Sequence, residues 1–179
     1  MAQKRKIIVH IATSADGYIA RPDGELDWLT GRPAPEGFYG LPEFARSVDA
    51  KILGRKTFEH SVRMGARFHA KDRHFVFSRS AQGSAPPGVE FVTEPAGAFA
   101  RRLRDQPGKT IWLMGGGGII ASFLDEGAID EFILSVMPVF IGEGVPLIAP
   151  RHRLVPMKLR SATPFGDGVV QLHYEIQKV

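Results

Sequence analysis

Three short segments carry residue types that bind anionic ligands, and each follows an apolar stretch typical of a buried strand. They are GRKT at residues 54–57, SRS at residues 78–80 and GGGG at residues 115–118. In open α/β sheets, ligands bind outside the carboxyl ends of the strands, at the loops that follow them. We therefore expect the three segments to converge on one ligand.

The segment at residues 54–57 suits a phosphate group. It is expected to turn from a strand into a helix, where the first backbone N–H groups have no intrahelical partner and the helix dipole favours an anion. Arg55 and Lys56 add positive charge there. At residues 78–80, Arg79 and two hydroxyl groups can hold another phosphate oxygen, or Arg79 can stack on an adenine ring. For these two segments, an ordinary capped turn and a plain polar loop are the alternatives.

The four consecutive glycines at residues 115–118 let the backbone approach a ligand closely and begin a helix whose N–H groups face a pyrophosphate. The segment is not the GxGxxG fingerprint, and it is not a P-loop because no GK[ST] follows. A tight turn that needs positive φ is the alternative. Four glycines in a row exceed that need, so the pattern favours ligand contact.

Other catalytic chemistries find no support in the sequence. The six histidines are scattered without metal-ligand spacing, so no metal site is predicted. Cysteine is absent, which excludes disulfides and thiolate chemistry. No GxSxG elbow is present, which argues against acyl-transfer hydrolysis.

The elements that position these segments follow from the hydrophobic pattern. Apolar runs predict strands that alternate with helices, then three long strands after residue 130 with no helix between them. The segment that follows the first strand is rich in Gly, Pro and Asp and is predicted as a long loop. We predict one domain over residues 1–179, a three-layer αβα sandwich whose mixed, mostly parallel sheet ends in antiparallel C-terminal strands. The predicted strands are 7–13, 50–54, 74–78, 89–92, 110–118, 131–140, 156–165 and 168–177, and the predicted helices are 41–47, 55–64, 95–105 and 119–127.

The composition limits the classes of partner expected for this protein. The formal net charge of +4 fits a mildly basic surface or a field that attracts phosphorylated small molecules. Nucleic acid is not an expected partner, because no dense basic run with interleaved aromatic residues occurs. The N-terminal apolar run is short and is interrupted by His10, Ser14 and Asp16, so it reads as a strand and not as a signal peptide. No stretch is long enough to cross a membrane, and we expect a cytoplasmic protein.

In their order along the chain, these segments resemble the dihydrofolate-reductase superfamily. The resemblance is strongest to the branch related to the C-terminal reductase domain of the bifunctional riboflavin-biosynthesis deaminase/reductase. It covers almost the whole chain through ATSADGYIA, VDAKILGRKTFE, FVFSRS and the stretch IWLMGGGGIIASFLDEGAIDEFILSVMPVFIGEGVPLI at residues 111–148. The resemblance implies a dihydrofolate-reductase-like fold, NADPH as hydride donor, a heterocyclic small-molecule substrate, and a homodimer formed through the C-terminal strands.

The resemblance also implies which residues contact NADPH. In the family, the GRKT turn holds the cofactor phosphates, the SRS loop surrounds the adenosine 2′-phosphate, and a strained Gly–Gly peptide lies beside the pyrophosphate and the nicotinamide. The loop after the first strand closes over the nicotinamide, and its deletion would test a lid role for residues 14–40. The residues that match these positions are Ala12, Asp16, Gly17, Ile19, Gly54, Arg55, Lys56, Thr57, Ser78, Arg79, Ser80, Met114, Gly115, Gly116, Gly117, Gly118 and Ile119.

The sequence departs from both family patterns at the substrate. The carboxylate that classical dihydrofolate reductases place after the active-site loop falls near Phe38, and the nearest acids are Asp27, Glu36 and Glu43. GRKTFEH stands where the riboflavin-pathway enzyme has a segment that grips a ribose phosphate. Hydride transfer to a C=N or C=O carbon of a pterin-like or pyrimidine-like ring remains the prediction. Water, Asp27 or Glu43 is the candidate proton source.

Four aromatic residues are candidates for the walls of a substrate pocket, with simple packing as the alternative. They are Trp28, Phe38, Tyr39 and Phe44. Because the carboxylate is missing, a second hypothesis is a module that binds NADPH without catalysis. A third, less favoured hypothesis is a basic nucleic-acid binder, which predicts affinity that falls steeply with salt.

Overall fold

A computed structural model describes residues 4–33, 35, 37–80 and 84–177 of the chain. Within these residues the chain forms ten strands and five α-helices. The strands are β1 Ile7–Ser14, β2 Tyr18–Ala20, β3 Val48–Gly54, β4 His74–Phe77, β5 Val89–Val92, β6 Thr110–Gly115, β7 Glu131–Met137, β8 Val145–Pro146, β9 Met157–Pro164 and β10 Val170–Ile176. The helices are α1 Asp27–Thr30, α2 Leu41–Arg46, α3 Arg55–Arg63, α4 Ala96–Arg104 and α5 Gly117–Asp125.

Eight of the strands form one mixed sheet, in the order β5-β4-β3-β6-β1-β7-β10-β9. All pairs from β5 to β7 are parallel, whereas β10 is antiparallel to both β7 and β9. Helices lie in the connections from β3 to β4, from β5 to β6 and from β6 to β7, whereas a short turn joins β9 to β10 and no helix lies between β7 and β10, which explains why the sequence changes character after residue 130. The predicted mostly parallel sheet with antiparallel C-terminal strands is confirmed.

Helices α4 and α5 cover one face of this sheet, called here the α4/α5 face. Phe99 of α4 and Phe123 of α5 are fully buried. The Phe99 ring packs edge-on against Phe75 and Phe77 of β4, with ring centroids 5.0 Å apart in both pairs. Alternate residues of the central strands, such as Ile7 and Ile111, complete this core. Burial of these large side chains is the main source of stability for the domain.

The opposite face of the sheet, called the α2/α3 face, is covered by α2, α3 and the segment before them. Phe44 of α2 packs on two residues of the sheet, with its ring centroid 4.6 Å from His10 on β1 and 5.4 Å from Trp112 on β6. Phe58 of α3 is buried and contacts the Phe91 ring at 5.9 Å. The sheet therefore has helices on both faces, as the continuous apolar strands predicted.

The structure differs from the sequence-based expectation in the long loop and near residue 145. The predicted loop contains α1 and β2, and β2 pairs with β8, which the sequence pattern also missed. These strands are three and two residues long, too short to show the alternation by which a longer strand is recognised in a sequence. The turn Phe38–Gly40 precedes α2 and is left-handed, with φ of 44° at Phe38 and 55° at Tyr39.

No helix within the described residues is long and apolar enough to cross a lipid bilayer.

Candidate functional site

The three segments singled out by sequence lie side by side at the carboxyl edge of the sheet. Strands β4, β3 and β6 are consecutive in the sheet, and all three run in the same direction. In the register of this sheet, Gly54 is opposite Phe77 and Leu53 is opposite Gly115. The turns at residues 54–57, 78–80 and 115–118 therefore leave the sheet from one edge, where ligands bind in open α/β folds.

The glycine turn after β6 is closely packed against the neighbouring turns. The Gly115–Gly116 peptide bond is cis. A Cβ atom on Gly116 would lie 3.3 Å from Thr57 Oγ1 and 3.7 Å from Ile19 Cδ1. A Cβ atom on Gly54 would lie 3.6 Å from Ile119 Cγ2. The structure thus brings Ile19, Gly54, Thr57, Gly116 and Ile119 together, whereas sequence reasoning only grouped them by resemblance.

Two helices begin at this edge, and neither has a side-chain cap. Gly54 precedes α3 and Gly116 precedes α5, and neither residue has a side chain that could accept from the first N–H groups. A Cβ atom added at Gly118, in the first turn of α5, would have no heavy atom within 4 Å. Uncapped helix N-termini with open space beside them suit the oxygen atoms of a phosphate or pyrophosphate.

The basic residues at this edge differ in their contacts and in their exposure. Arg55 forms an ion pair with Glu59 at 2.6 Å, and its guanidinium lies 4.7 Å from the centroid of the Phe91 ring. Lys56 and Arg79 are exposed. Ser78 is anchored by its backbone N–H, which donates to the Val92 carbonyl at 3.0 Å. Lys56 and Arg79 are therefore better placed than Arg55 to meet an incoming phosphate.

The loop between β1 and β2 is tied to the segment that follows β7. The Asp16 carboxylate accepts from the Ser14 hydroxyl at 2.6 Å and from the backbone N–H groups of Gly142 at 2.8 Å and Ile141 at 3.1 Å. The Ser14 hydroxyl and then these N–H groups hold the pKa of Asp16 below its usual value. The Leu147 N–H donates to the Gly17 carbonyl at 3.0 Å. These bonds tie the β1–β2 loop to the segment after β7, and the lid role of residues 14–40 stays a prediction.

Residues 142–149 also reach the glycine turn and are called here the strap. The Ala149 N–H donates to the Gly117 carbonyl at 3.1 Å. A Cβ atom on Gly117 would overlap the carbonyl oxygen of Pro146 and would lie 3.2 Å from that of Leu147. The strap therefore links the β1–β2 loop to the glycine turn, and only glycine fits at position 117.

The predicted wall aromatics lie on the α2/α3 face beside this edge. Trp28 is buried against Met137 and Val169, and Tyr39 packs at the margin of the same cluster. The Tyr39 hydroxyl donates to Asp167 Oδ2 at 2.5 Å, and burial, followed by this hydrogen bond, raises the pKa of Tyr39. Phe38 remains 47% exposed.

The two carboxylates predicted as proton donors have surroundings that do not favour this role. Asp27 is 60% exposed and pairs with Arg21 at 2.6 Å, and Glu43 is 66% exposed and pairs with Arg46 at 2.7 Å. The hydrogen bond from Arg21 lowers the pKa of Asp27, and the Glu43 backbone N–H followed by Arg46 lowers that of Glu43. A general acid needs a raised carboxyl pKa, so neither environment favours proton donation at neutral pH. Glu36 lies outside the described residues.

Sequence reasoning did not single out four polar or aromatic residues of this face. Ser135 is buried and accepts from Gln171 Nε2 at 3.2 Å. Trp112 donates from Nε1 to the His10 carbonyl at 3.0 Å. Burial, and then the charge of His173, lowers the pKa of His10 to about 4, so the imidazole is neutral near pH 7. Strand alternation could have assigned these side chains to one face, but not which strands are neighbours.

Comparison with known proteins places the chain in a family. The model of the RibD C-terminal domain matches residues 5–171. The chain is 40% identical over 172 residues to YwjB of Bacillus subtilis, a protein of uncharacterised function, and the match covers 96% of this chain and 98% of YwjB.

Solved structures share the fold. A protein of Shewanella sp. PV-4, provisionally named a riboflavin biosynthesis protein, has a TM-score of 0.82 at 29% identity, with 97% of this chain and 99% of that chain covered. The deaminase/5-amino-6-(5-phosphoribosylamino)uracil reductase of Thermotoga maritima has a TM-score of 0.73 at 18% identity, over 97% of this chain and 57% of that one.

Dihydrofolate reductase of Enterococcus faecalis, complexed with NADP(H), has a TM-score of 0.69 at 17% identity over 97% of each chain. At these identities the two enzymes establish the dihydrofolate-reductase-like fold alone. The match to the family model spans nearly the whole described sheet and includes the carboxyl edge where the three turns meet. The chain therefore belongs to the RibD C-terminal domain family, the reductase-related branch of the dihydrofolate-reductase-like superfamily.

Proposed function

We propose that this protein is an NADPH-dependent reductase that transfers a hydride to a C=N or C=O carbon of a pterin-like or pyrimidine-like ring. The observation that carries the proposal is the placement of three loops at one carboxyl edge, with two uncapped helix N-termini between them. The membership of the chain in the RibD C-terminal domain family supports it.

The residues at the edge fit a dinucleotide. Gly116 and Gly118 leave room for close approach, and the N-termini of α3 and α5 offer N–H groups to the pyrophosphate. Lys56 and Arg79 would hold the adenosine 2′-phosphate, which gives a preference for NADPH over NADH. Ala12, at the end of β1, would border the nicotinamide. When bound, NADPH supplies the hydride, and the protein supplies orientation.

On the acceptor side, the chain would position the acceptor ring and exclude water from it. Trp28, Tyr39 and Phe44 would close the α2/α3 face over the acceptor ring, and the hydrogen bonds of Asp16 would keep the β1–β2 loop beside it. Because Asp27 and Glu43 are exposed and paired with arginine, we propose that water delivers the proton to the reduced acceptor.

The test is loss of the absorbance of reduced nicotinamide when pterins and pyrimidines are added to the protein with NADPH. The proposal predicts oxidation of NADPH that depends on one of these rings, with NADH a poorer donor. Saturable NADPH binding without turnover on any ring would support the alternative, a non-catalytic nucleotide-binding module. Absence of NADPH binding would contradict both. A variant lacking both Lys56 and Arg79 side chains serves as the control for donor preference.

We also propose that the protein forms a homodimer through the α4/α5 face of β9 and β10. All eight residues of β9 are exposed. Met157 and Leu159 on β9 and Val170 on β10 are 46%, 50% and 37% exposed, and they share this apolar face. An apolar sheet face of this kind marks an interaction site. Sedimentation velocity should give a dimer that Leu159→Glu converts to a monomer, and a monomeric wild type at micromolar concentration would refute the proposal.

A further inference from the structure

Residues 150–156 join the strap to β9 and are called here the arch. The arch is held at both ends. Arg153 donates to the Ala149 carbonyl at 2.9 Å and pairs with Asp125 at the end of α5, and the Gln177 N–H donates to the Pro156 carbonyl at 2.9 Å. Between these anchors the Leu154 side chain projects from the surface and is 93% exposed. A large apolar side chain held out in this way is a candidate for burial against another molecule.

An apolar cavity opens beside the arch on the α4/α5 face and is called here the α5 cavity. Its apolar walls come from α5, β7, β10, the strap and the arch, and they include Leu124, Leu134, Ile176, Leu147 and Val155. Arg153 also lines it, with its charge paired to Asp125. The volume is about 210 Å³. Pockets that hold a drug-sized ligand measure about 300–1,000 Å³, whereas an apolar cavity of about 150 Å³ accepts a benzene ring. The α5 cavity therefore suits a single apolar side chain.

Strands β9 and β10 extend the apolar surface around this cavity. On their α4/α5 side every side chain is uncharged, and these residues are Met157, Leu159, Ala162, Pro164, Val170, Leu172, Tyr174 and Ile176. On the other side of the two strands Arg160 pairs with Glu175, and His173 pairs with Glu131. Leu154 is thus part of a continuous apolar surface, and a surface of this kind marks an interaction site.

A second copy of the chain is the occupant that fits this surface. Because Leu154 and the α5 cavity lie side by side, the two-fold rotation that brings Leu154 to the cavity of another chain also brings the partner's Leu154 to the first cavity. The arch, β9 and the α4/α5 side of β10 comprise about 20 residues, which is one side of a standard interface. Arg151 and Arg153 both pair with Asp125 within the subunit, so the arch arginines meet the other copy with their charges compensated.

The wall of the α5 cavity is connected to the candidate NADPH site. Leu147 and Ile148 of the strap line the cavity and are only half-buried. The Leu147 N–H donates to the Gly17 carbonyl at 3.0 Å, and the Ala149 N–H donates to the Gly117 carbonyl at 3.1 Å. A side chain in the cavity would pack against the strap and would hold it against the β1–β2 loop and the glycine turn.

We propose that the protein is a two-fold dimer in which Leu154 of each chain fills the α5 cavity of the other and supports the NADPH site of that chain. This inference rests on the proposed function, because it names a partner and a form of regulation for the same site. By thermodynamic linkage, dimerisation and NADPH binding then strengthen each other by the same factor.

The first test is sedimentation velocity without nucleotide. Leu154→Ser should weaken the dimer by at least about a hundredfold, because two leucine side chains lose an apolar contact. Val155→Trp places a large ring in the α5 cavity and should weaken the dimer similarly. Met64→Ser is the matched control, since it removes an apolar side chain that is 61% exposed just after α3, and it should change the dissociation constant by less than about twofold.

A mixture of the two variants tests the reciprocal insertion. The Leu154→Ser chain keeps an open cavity, and the Val155→Trp chain keeps its leucine. A dimer of one chain of each kind re-forms one of the two contacts, so the mixture should associate more tightly than either variant alone. A mixture that associates no better than the separate variants would overturn the insertion.

The second test is NADPH titration followed by the fluorescence of the reduced nicotinamide. Monomeric Leu154→Ser should bind NADPH at least about fivefold more weakly than the wild-type dimer, which is the lower end of typical coupling between sites. Met64→Ser should bind like the wild type. NADPH should in turn tighten the wild-type dimer.

The two tests separate this inference from the proposed function. Absence of NADPH binding to the wild type refutes the proposed function and the link to the cofactor, while sedimentation without nucleotide still decides the insertion of Leu154. The inference is overturned if the wild type is a monomer at micromolar concentration or if Leu154→Ser dimerises as tightly as Met64→Ser. It is also overturned if monomeric Leu154→Ser binds NADPH as tightly as the wild-type dimer.

Discussion

Alanine at position 117 should disturb the link between the glycine turn and the strap, whereas alanine at position 118 should not. The Cβ atom of Gly117→Ala would overlap the Pro146 carbonyl oxygen, which belongs to the backbone of β8 and cannot rotate away. Gly118 follows in the same helical turn, and its Cβ atom would meet open space. The two variants add the same methyl group one residue apart, so each is the control of the other.

The expected magnitude follows from two opposing effects. Overpacking in a closely packed region costs about 1–3 kcal/mol. Replacing glycine by alanine inside a helix raises the free energy of unfolding by up to about 1 kcal/mol, and this gain applies to both positions. The difference between the two variants therefore isolates the overlap, at about 1–3 kcal/mol. For a chain of this length that corresponds to a difference of about 2–12 °C in Tm.

Thermal unfolding followed by circular dichroism measures this difference, and NADPH titration measures its functional counterpart. We expect Gly117→Ala to have the lower Tm. Gly118→Ala should keep the Tm of the wild type or raise it, yet bind NADPH more weakly because its methyl group occupies the space beside the N-terminus of α5. Equal Tm values for the two variants would refute the packing of the strap on Gly117, and unchanged NADPH affinity of Gly118→Ala would refute the pyrophosphate position.

Three further predictions concern charged and titratable groups. Lys56→Ala and Arg79→Ala should each weaken NADPH binding by about tenfold and leave NADH binding nearly unchanged, as measured by calorimetry, since each removes one charge-assisted contact to the 2′-phosphate. Equal losses of affinity for both nucleotides would contradict this prediction. Asp27→Asn and Glu43→Gln should keep kcat within about twofold, because both carboxylates are exposed and paired with arginine; a large fall in kcat would restore one of them as the proton donor. His10 has a folded-state pKa of about 4 against an ordinary 6.5, so below pH 6.5 the unfolded chain binds a proton that the native state does not, and stability falls as the pH drops toward 4. Urea unfolding should show about 2 kcal/mol less stability at pH 5 than at pH 7 from this residue, and His10→Gln should lack that contribution; an identical pH dependence of the variant would show that His10 is not buried as a neutral group.

The sequence was sufficient to locate β1, β3, β4 and β6 because each strand contains a short run of apolar residues. A parallel strand buried on both faces leaves such a run, and glycine or hydroxyl residues mark where it ends. The three candidate turns could be found in the same way, since each is local in sequence. Their convergence depended on the strand order β4-β3-β6, which the hydrophobic pattern does not encode.

The parts of the site that sequence reasoning missed depend on pairs of residues far apart in the chain. Gln171 contacts Ser135 and Tyr39, and Asp167 binds the Tyr39 hydroxyl. The Gln171–Ser135 contact requires the register of β7 and β10, and a shift of one residue would turn the Gln171 side chain to the other face. The exposure of Asp27 was also hidden, because its pairing with Arg21 forms only once β2 and α1 are in place.

The most direct test of the central claim is a crystal structure of the protein with NADPH. The account predicts the pyrophosphate between residues 54–57 and 115–118, the 2′-phosphate against Lys56 and Arg79, and the nicotinamide beside Ala12. Density for the cofactor at another surface, or none at a saturating NADPH concentration, would contradict it.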